Sequence, residues 1–120
     1  MKKPNYFNIE SLKKITNAGN QSLIEYLTIY IEQTPNDIKK LQQFYQDGDS
    51  KNLAMLAHNL KSRSRYMGIH DLGQLAEKME KFDFTTQNKA ILNQIINQFI
   101  EIYTYVEADL KIEKENLSKL

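Results

Sequence analysis

The chain contains no cysteine, which excludes a disulfide framework and any thiolate metal site and is compatible with a reducing compartment. Only two prolines and four glycines punctuate its 120 residues, a scarcity that favours long helices over short strands and turns. An excess of charge of one sign is missing too: 16 Lys plus Arg stand against 15 Asp plus Glu. Without a cationic surplus to neutralise phosphates, nucleic acid is not expected as a main partner. No apolar run approaches the roughly 18 residues that a membrane span needs. The opening MKKPNYFNIE has two lysines but no apolar stretch behind them, so neither an anchor nor a leader is expected. What is present, 41% hydrophobic and 26% charged residues, is the balance of a globular domain long enough to bury one core. The expectation is a single cytoplasmic domain over residues 1–120, its core at about 8–110, with the polar tail KIEKENLSKL frayed.

The apolar residues recur at helical spacing. Ile9, Leu12 and Ile15 share one side of a short segment over residues 8–18, with Gly19 expected as its C-terminal cap. Leu23, Leu27, Tyr30 and Ile31, then Ile38, Leu41 and Phe44 or Tyr45, continue a helical stripe across Pro35. That pattern fits one kinked helix or two collinear ones, the second capped by Thr34. Gly48-Asp49-Ser50 reads as a stop followed by a start, and a helix is predicted over 50–66. Asp71 to Gln74 has the form of a capping box for a helix over 71–82 with Leu72, Leu75, Ala76, Met79 and Phe82 inward. Thr85 or Thr86 is expected to open the last helix, over 87–110. Its stripe of Leu92, Ile96, Phe99, Tyr103, Val106 and Leu110 alternates steps of four and three, the seam of a bundle helix. The predicted fold is all-α: an antiparallel four-helix bundle with a short accessory N-terminal helix. Because such a bundle buries its stripes internally, a monomer is expected.

Within this pattern AHNLKSRSRYMG, residues 57–68, stands out. A helix advances about 100° per residue, which puts Leu53, Ala57, Leu60, Ser64 and Met67 around one inward direction. His58 then points roughly 140° away from it, beside Ala54, Lys61, Ser62 and Arg65. It is a surface histidine on a rigid helix. Alone, such a residue is unremarkable, and the usual chemistries do not fit it. His70 lies twelve positions on, across Gly68, with no His at i+4 and no Cys to complete a metal site. Ser62 and Ser64 lack the partners of a triad. Gly68 to Gly73 has phosphate-loop spacing, but Gln74 and Leu75 stand where Lys and Ser/Thr should follow, so no intrinsic ATP-dependent kinase activity is expected. A neutral imidazole is, however, nucleophilic near physiological pH. A phosphoryl group on its ring would be stabilised by a cation one turn away, which is where Lys61 stands.

The stretch resembles the histidine-containing phosphotransfer (HPt) domains of multistep two-component phosphorelays. Ala57-His58-Asn59-Leu60-Lys61-Ser62, with Gly68 ten positions after the histidine, matches their signature. Leu72, Leu75 and the Glu77 to Lys81 segment resemble the next helix of the family, and Thr34-Pro35 and Gly48-Asp49 sit where it commonly has the same pairs. The likeness extends over roughly residues 8–110 and implies a four-helix bundle with an accessory helix, in agreement with the periodicity. It implies further that His58 accepts a phosphoryl group from a receiver-domain aspartyl phosphate and passes it to another receiver's Asp, with Lys61 stabilising it. Receiver domains of response regulators, or of a hybrid histidine kinase, would be the partners. Ala54, Ser62 and Arg65 would surround the reactive side chain on the docking face, and Gly68 would be structural. No cofactor of its own is implied; a divalent metal is expected on the partner receiver. Ser62 departs from the family's commonest Gly, and Arg63 and Arg65 replace residues that are often small; Arg65 could add an anion contact while Arg63 is expected to be solvated. The alternative is a receiver-binding or adaptor bundle that carries no phosphate, against which the joint presence of His58 and Lys61 counts.

Overall fold

The computed structural model describes residues 6–119; the paired lysines of the N-terminal reading fall outside the described residues. Five helices are present and no strand among the described residues: α1 Ile9–Thr16, α2 Asn20–Asp47, α3 Ser50–Tyr66, α4 His70–Glu80 and α5 Lys89–Ser118. Packing runs α2 on α3, α3 on α4 and α4 on α5, and α5 returns to α2 to close the ring. The short connections between consecutive helices make neighbours antiparallel. None of these helices is long and apolar enough to cross a membrane.

Unequal helix lengths shape the bundle. At about 1.5 Å per residue, the 28 residues of α2 and 30 of α5 outrun the 17 of α3 and 11 of α4, and the molecule is 51 Å long against 32 and 21 Å across. The short α1 fills the end left open below the α3–α4 turn. Its Leu12 is fully buried, and a side chain added at Gly68 would meet Ile15 of α1 at 3.4 Å. Gly68 turns the chain at φ +76°, a left-handed conformation that costs other residues about 1 kcal/mol or more. The amide of Ile69 donates back to the Ser64 carbonyl at 2.8 Å, satisfying an end of α3.

Leu53, Ala57, Leu60, Ser64 and Met67 of α3, and every member of the Leu92 to Leu110 stripe of α5, are buried. The inward side of α3 is therefore set by its periodicity. Ser64 is the one hydroxyl among those apolar side chains on α3, and it is satisfied: its Oγ and the Tyr30 hydroxyl lie 2.8 Å apart across the α2–α3 interface. Burial pushes the Tyr30 phenol up to about 12. Ser64→Ala is expected to lower stability by about 1–3 kcal/mol, since it strands that phenol in the core. Chemical denaturation at neutral pH measures the loss. The raised Tyr30 value has a sign that alkaline melts can read: its stabilisation is complete below the ordinary tyrosine pKa near 10 and is lost as pH rises towards about 12.

Several helix ends differ from the sequence reading. The left-handed C-cap of α1 is Asn17, at φ 48°, and Gly19 instead opens α2. Pro35 lies inside an unbroken α2. The helix survives a residue that costs about 3 kcal/mol locally because Leu27 and Tyr30 before it and Leu41 after it are all buried on one core, and tertiary packing outweighs propensity. α4 begins one residue early at His70, its N-cap Ile69 offering no side chain, so Asp71 serves in the first turn and not as the cap. Asn88, not Thr85 or Thr86, caps α5 by accepting from the Ala90 amide at 2.9 Å. α5 also continues past residue 110 to Ser118, with Leu117 buried. The charged tail is helical because that leucine continues the inward stripe seven residues beyond Leu110. Ile15, expected inward, is 49% exposed.

Candidate functional site

The exposed part of α3 divides into ridges. Ala54, His58, Lys61 and Arg65 follow one another at helical spacing on the side towards α4, while Asn59, Ser62 and Arg63 lie towards α2. Because α4 runs antiparallel and is short, its last residue, Glu80, arrives level with His58. The Glu80 carboxylate holds both members of the sequence-predicted pair: one oxygen lies 2.5 Å from His58 Nδ1 and the other 2.6 Å from Lys61 Nζ. One helical turn earlier on α4, Glu77 takes Arg65 at 3.2 Å and Lys81 at 3.3 Å. A cationic ridge on α3 thus meets an acidic edge on α4.

Exposure separates the roles. The His58 side chain is 59% exposed, whereas Lys61 is 15% and Glu80 21% exposed. The carboxyl of Glu80 is held below the usual carboxylate range, first by the Lys61 hydrogen bond and in smaller measure by His58, against a partial burial that opposes them. An ionised carboxylate only accepts, so Nδ1 carries the proton and donates. The neutral imidazole then has its lone pair on Nε2. A shallow depression of about 390 Å³ lined by Ala54, Met55, His58, Asn59 and Glu80 opens beside the ring, and the structure brings Ala54 to the histidine as the wheel requires.

Arg65 is placed differently from the expectation. It turns towards Glu77, and its stem lies over Gly73, where an added Cβ would come within 2.9 Å of Arg65 Cγ. It joins the α3–α4 seam and is not brought to the imidazole. Ser62 is exposed on the opposite flank, at the rim of the α2–α3 groove. Arg63, expected in solvent, is a correction: its guanidinium is held by the Asp37 carboxylate and, at 2.9 Å, by Gln33 Oε1, both on α2. The groove between two helices holds a long cation wherever an acid faces it, and no pattern within α3 reports that acid. Glu80, whose carboxylate meets both His58 and Lys61, is the site residue that sequence reasoning missed. The available signal was an acidic pair, Glu77 and Glu80, at i and i+3 on the helix following a cationic stripe at 58, 61 and 65.

The arrangement is a convex, cation-flanked imidazole with an oriented proton and an accessible second nitrogen. Among the described residues no three His, Asp or Glu side chains converge as a metal site. Comparison of the chain with curated proteins and with solved structures finds no match. A family model does match: the Hpt domain, over residues 25–109. The match begins inside α2, leaves α1 outside, and takes in α3, α4 and most of α5. With well over half of its length so matched and the bundle closed around the histidine helix, the chain belongs to the Hpt domain family, whose members serve in two-component phosphorelays.

Proposed function

We propose that this protein is a phosphorelay intermediate that carries a phosphoryl group on His58 Nε2. The observation that carries the reading is the shared carboxylate: Glu80 meets Nδ1 of a largely exposed imidazole with one oxygen and holds Lys61 with the other. In the acceptor step the Nε2 lone pair attacks the phosphorus of a receiver's aspartyl phosphate. The N–P bond forms as the acyl O–P bond breaks, and that bonding pair leaves with the receiver's carboxylate. The ring gains positive charge, which the adjacent Glu80 carboxylate offsets, and its Nδ1 proton need not move. Lys61, one helical turn from His58 and held by the same carboxylate, supplies the positive charge that stabilises the new dianion. The reverse step delivers the group to a second receiver's Asp. Such a convex site supplies no leaving-group chemistry of its own, so the divalent cation belongs to the receiver and this chain needs no cofactor. Ala54 lies beside the ring and Ser62 at the α2 edge of the docking face; Arg65 acts by pinning α4 to α3. A monomer meeting cytoplasmic receivers is the form in which it works.

Incubation with receivers charged by acetyl phosphate, followed by mass spectrometry, tests this. One phosphoryl group is expected on the peptide containing His58, lost in acid and kept in base, as a phosphorus–nitrogen bond requires. A label that survives acid, or that maps to a serine, refutes the carrier role. Binding of receivers with no label would favour the adaptor alternative.

A further inference from the structure

The α2–α3 groove beside the His58 ridge is split in two by Arg63. The guanidinium cannot swing freely: Asp37 and Gln33 hold its two terminal nitrogens, and its Nε donates to the Asn59 carbonyl at 3.4 Å. Asp37 is itself buried. On one side of this strut lies a depression of about 350 Å³ whose walls, Tyr26, Ile29, Tyr66 and Met67, are largely apolar. Tyr26 and Tyr66 meet edge to face at 5.6 Å, while Ile29 and Tyr66 remain 48% and 46% exposed. On the other side lies a depression of about 610 Å³ bounded by Gln33, Asn36, Asp37 and Lys40. Ser62 and Arg63 line both, and Asn59 joins the polar one to the depression at His58. The polar half of the groove therefore borders the proposed phosphoryl site at Asn59, and the groove as a whole presents two chemistries. From Ile29 to Asn36 is seven residues of α2, two turns or about 10 Å.

We infer that the Arg63–Asp37 strut is the partner-specificity element of the docking face, selecting receivers whose contacting surface presents a large apolar side chain and a hydrogen-bonding polar one about 10 Å apart. The inference rests on the phosphorelay reading. Its selectivity comes from both halves. The apolar side chain gains burial between Tyr26, Ile29 and Tyr66. A receiver with an apolar residue at the second position has to cover the strut and the Gln33 amide without replacing their water, which is how polar sites reject the wrong partner.

The test replaces the strut by apolar side chains of similar size, Arg63→Met with Asp37→Leu, so that no charge is left unpaired; such replacements are commonly neutral or stabilising. Transfer rates are measured from a panel of isolated receiver domains charged with acetyl phosphate. The double variant is expected to lose at least about tenfold of its preference for receivers with the apolar–polar pattern over those apolar at both positions. Ile29→Asn, at an exposed position that leaves the fold intact, is expected to slow transfer from the preferred receivers selectively. An unchanged order and spread of rates in both variants overturns the inference. Phosphoramidate, a small donor that needs no docking face, separates this failure from failure of the underlying reading. It should label His58 equally in wild type and variants, and absence of label in the wild type would count against the carrier role itself.

Discussion

Replacing His58 by Gln is expected to abolish labelling by phosphorylated receivers while leaving the fold and receiver binding in place. Glutamine keeps a polar side chain of similar reach but has no nucleophilic ring nitrogen, so the effect on transfer is total rather than graded. The histidine side chain is 59% exposed and lies off the buried stripe of α3. Its loss removes one surface contact to a carboxylate that still holds Lys61 at 2.6 Å. Stability should therefore move by no more than about 0.5 kcal/mol. Thermal melts, receiver pull-down and radiolabel transfer measured on the same preparation check the three parts together. A variant that still takes label, or one that unfolds, contradicts the placement of this residue.

Glu80→Ala should slow acceptance roughly ten- to a hundredfold, by analogy with carboxylates that orient metal-bound imidazoles. Two things are lost at once. Nδ1 no longer has a partner that holds its proton and so directs the lone pair to Nε2, and the positive charge on the phosphorylated ring is no longer offset. Glu80→Gln should be milder, because its amide oxygen still accepts from Nδ1 although it carries no charge. The pH dependence follows from the direction of the Glu80 shift. Its folded carboxyl sits below the ordinary range, chiefly because of Lys61. The stabilisation it confers is present above the unfolded value near 4.3 and disappears as pH falls through the lower folded value. Between pH 6 and 8 Glu80 stays ionised, so it should add no inflection of its own to the rate profile there. Stopped-flow acceptance rates for the three proteins across that range, with binding measured separately, decide the matter. Equal rates in wild type and Glu80→Ala would remove Glu80 from the site.

The helical class, the inward side of each helix and the outward direction of His58 were legible in the residues themselves. A period near 3.6 maps directly onto a buried stripe, and Leu53, Ala57, Leu60 and Ser64 exclude His58 from that stripe without reference to any other element. Lys61, one turn on, was visible for the same reason: both residues share a helix, and their spacing is fixed by its geometry. Helix ends were less legible. Asn17, Ile69 and Asn88 act as caps where Gly19, Asp71 and the threonines offered equally good local chemistry, and small differences in local preference yield to where the long stripes must pack. The same competition carried α2 through Pro35 and α5 to Ser118.

What the chain could not state locally was which acid meets which base. Glu80 follows His58 by 22 residues and Asp37 precedes Arg63 by 26; each pair depends on where one helix ends relative to another. The length of α4 brings its last carboxylate level with the imidazole, and the crossing of α2 and α3 sets Asp37 under Arg63. Periodicity determines the face on which a side chain emerges, because that is a property of one helix. Its partner depends on axial offset and packing between helices, quantities that exist only once the bundle has closed.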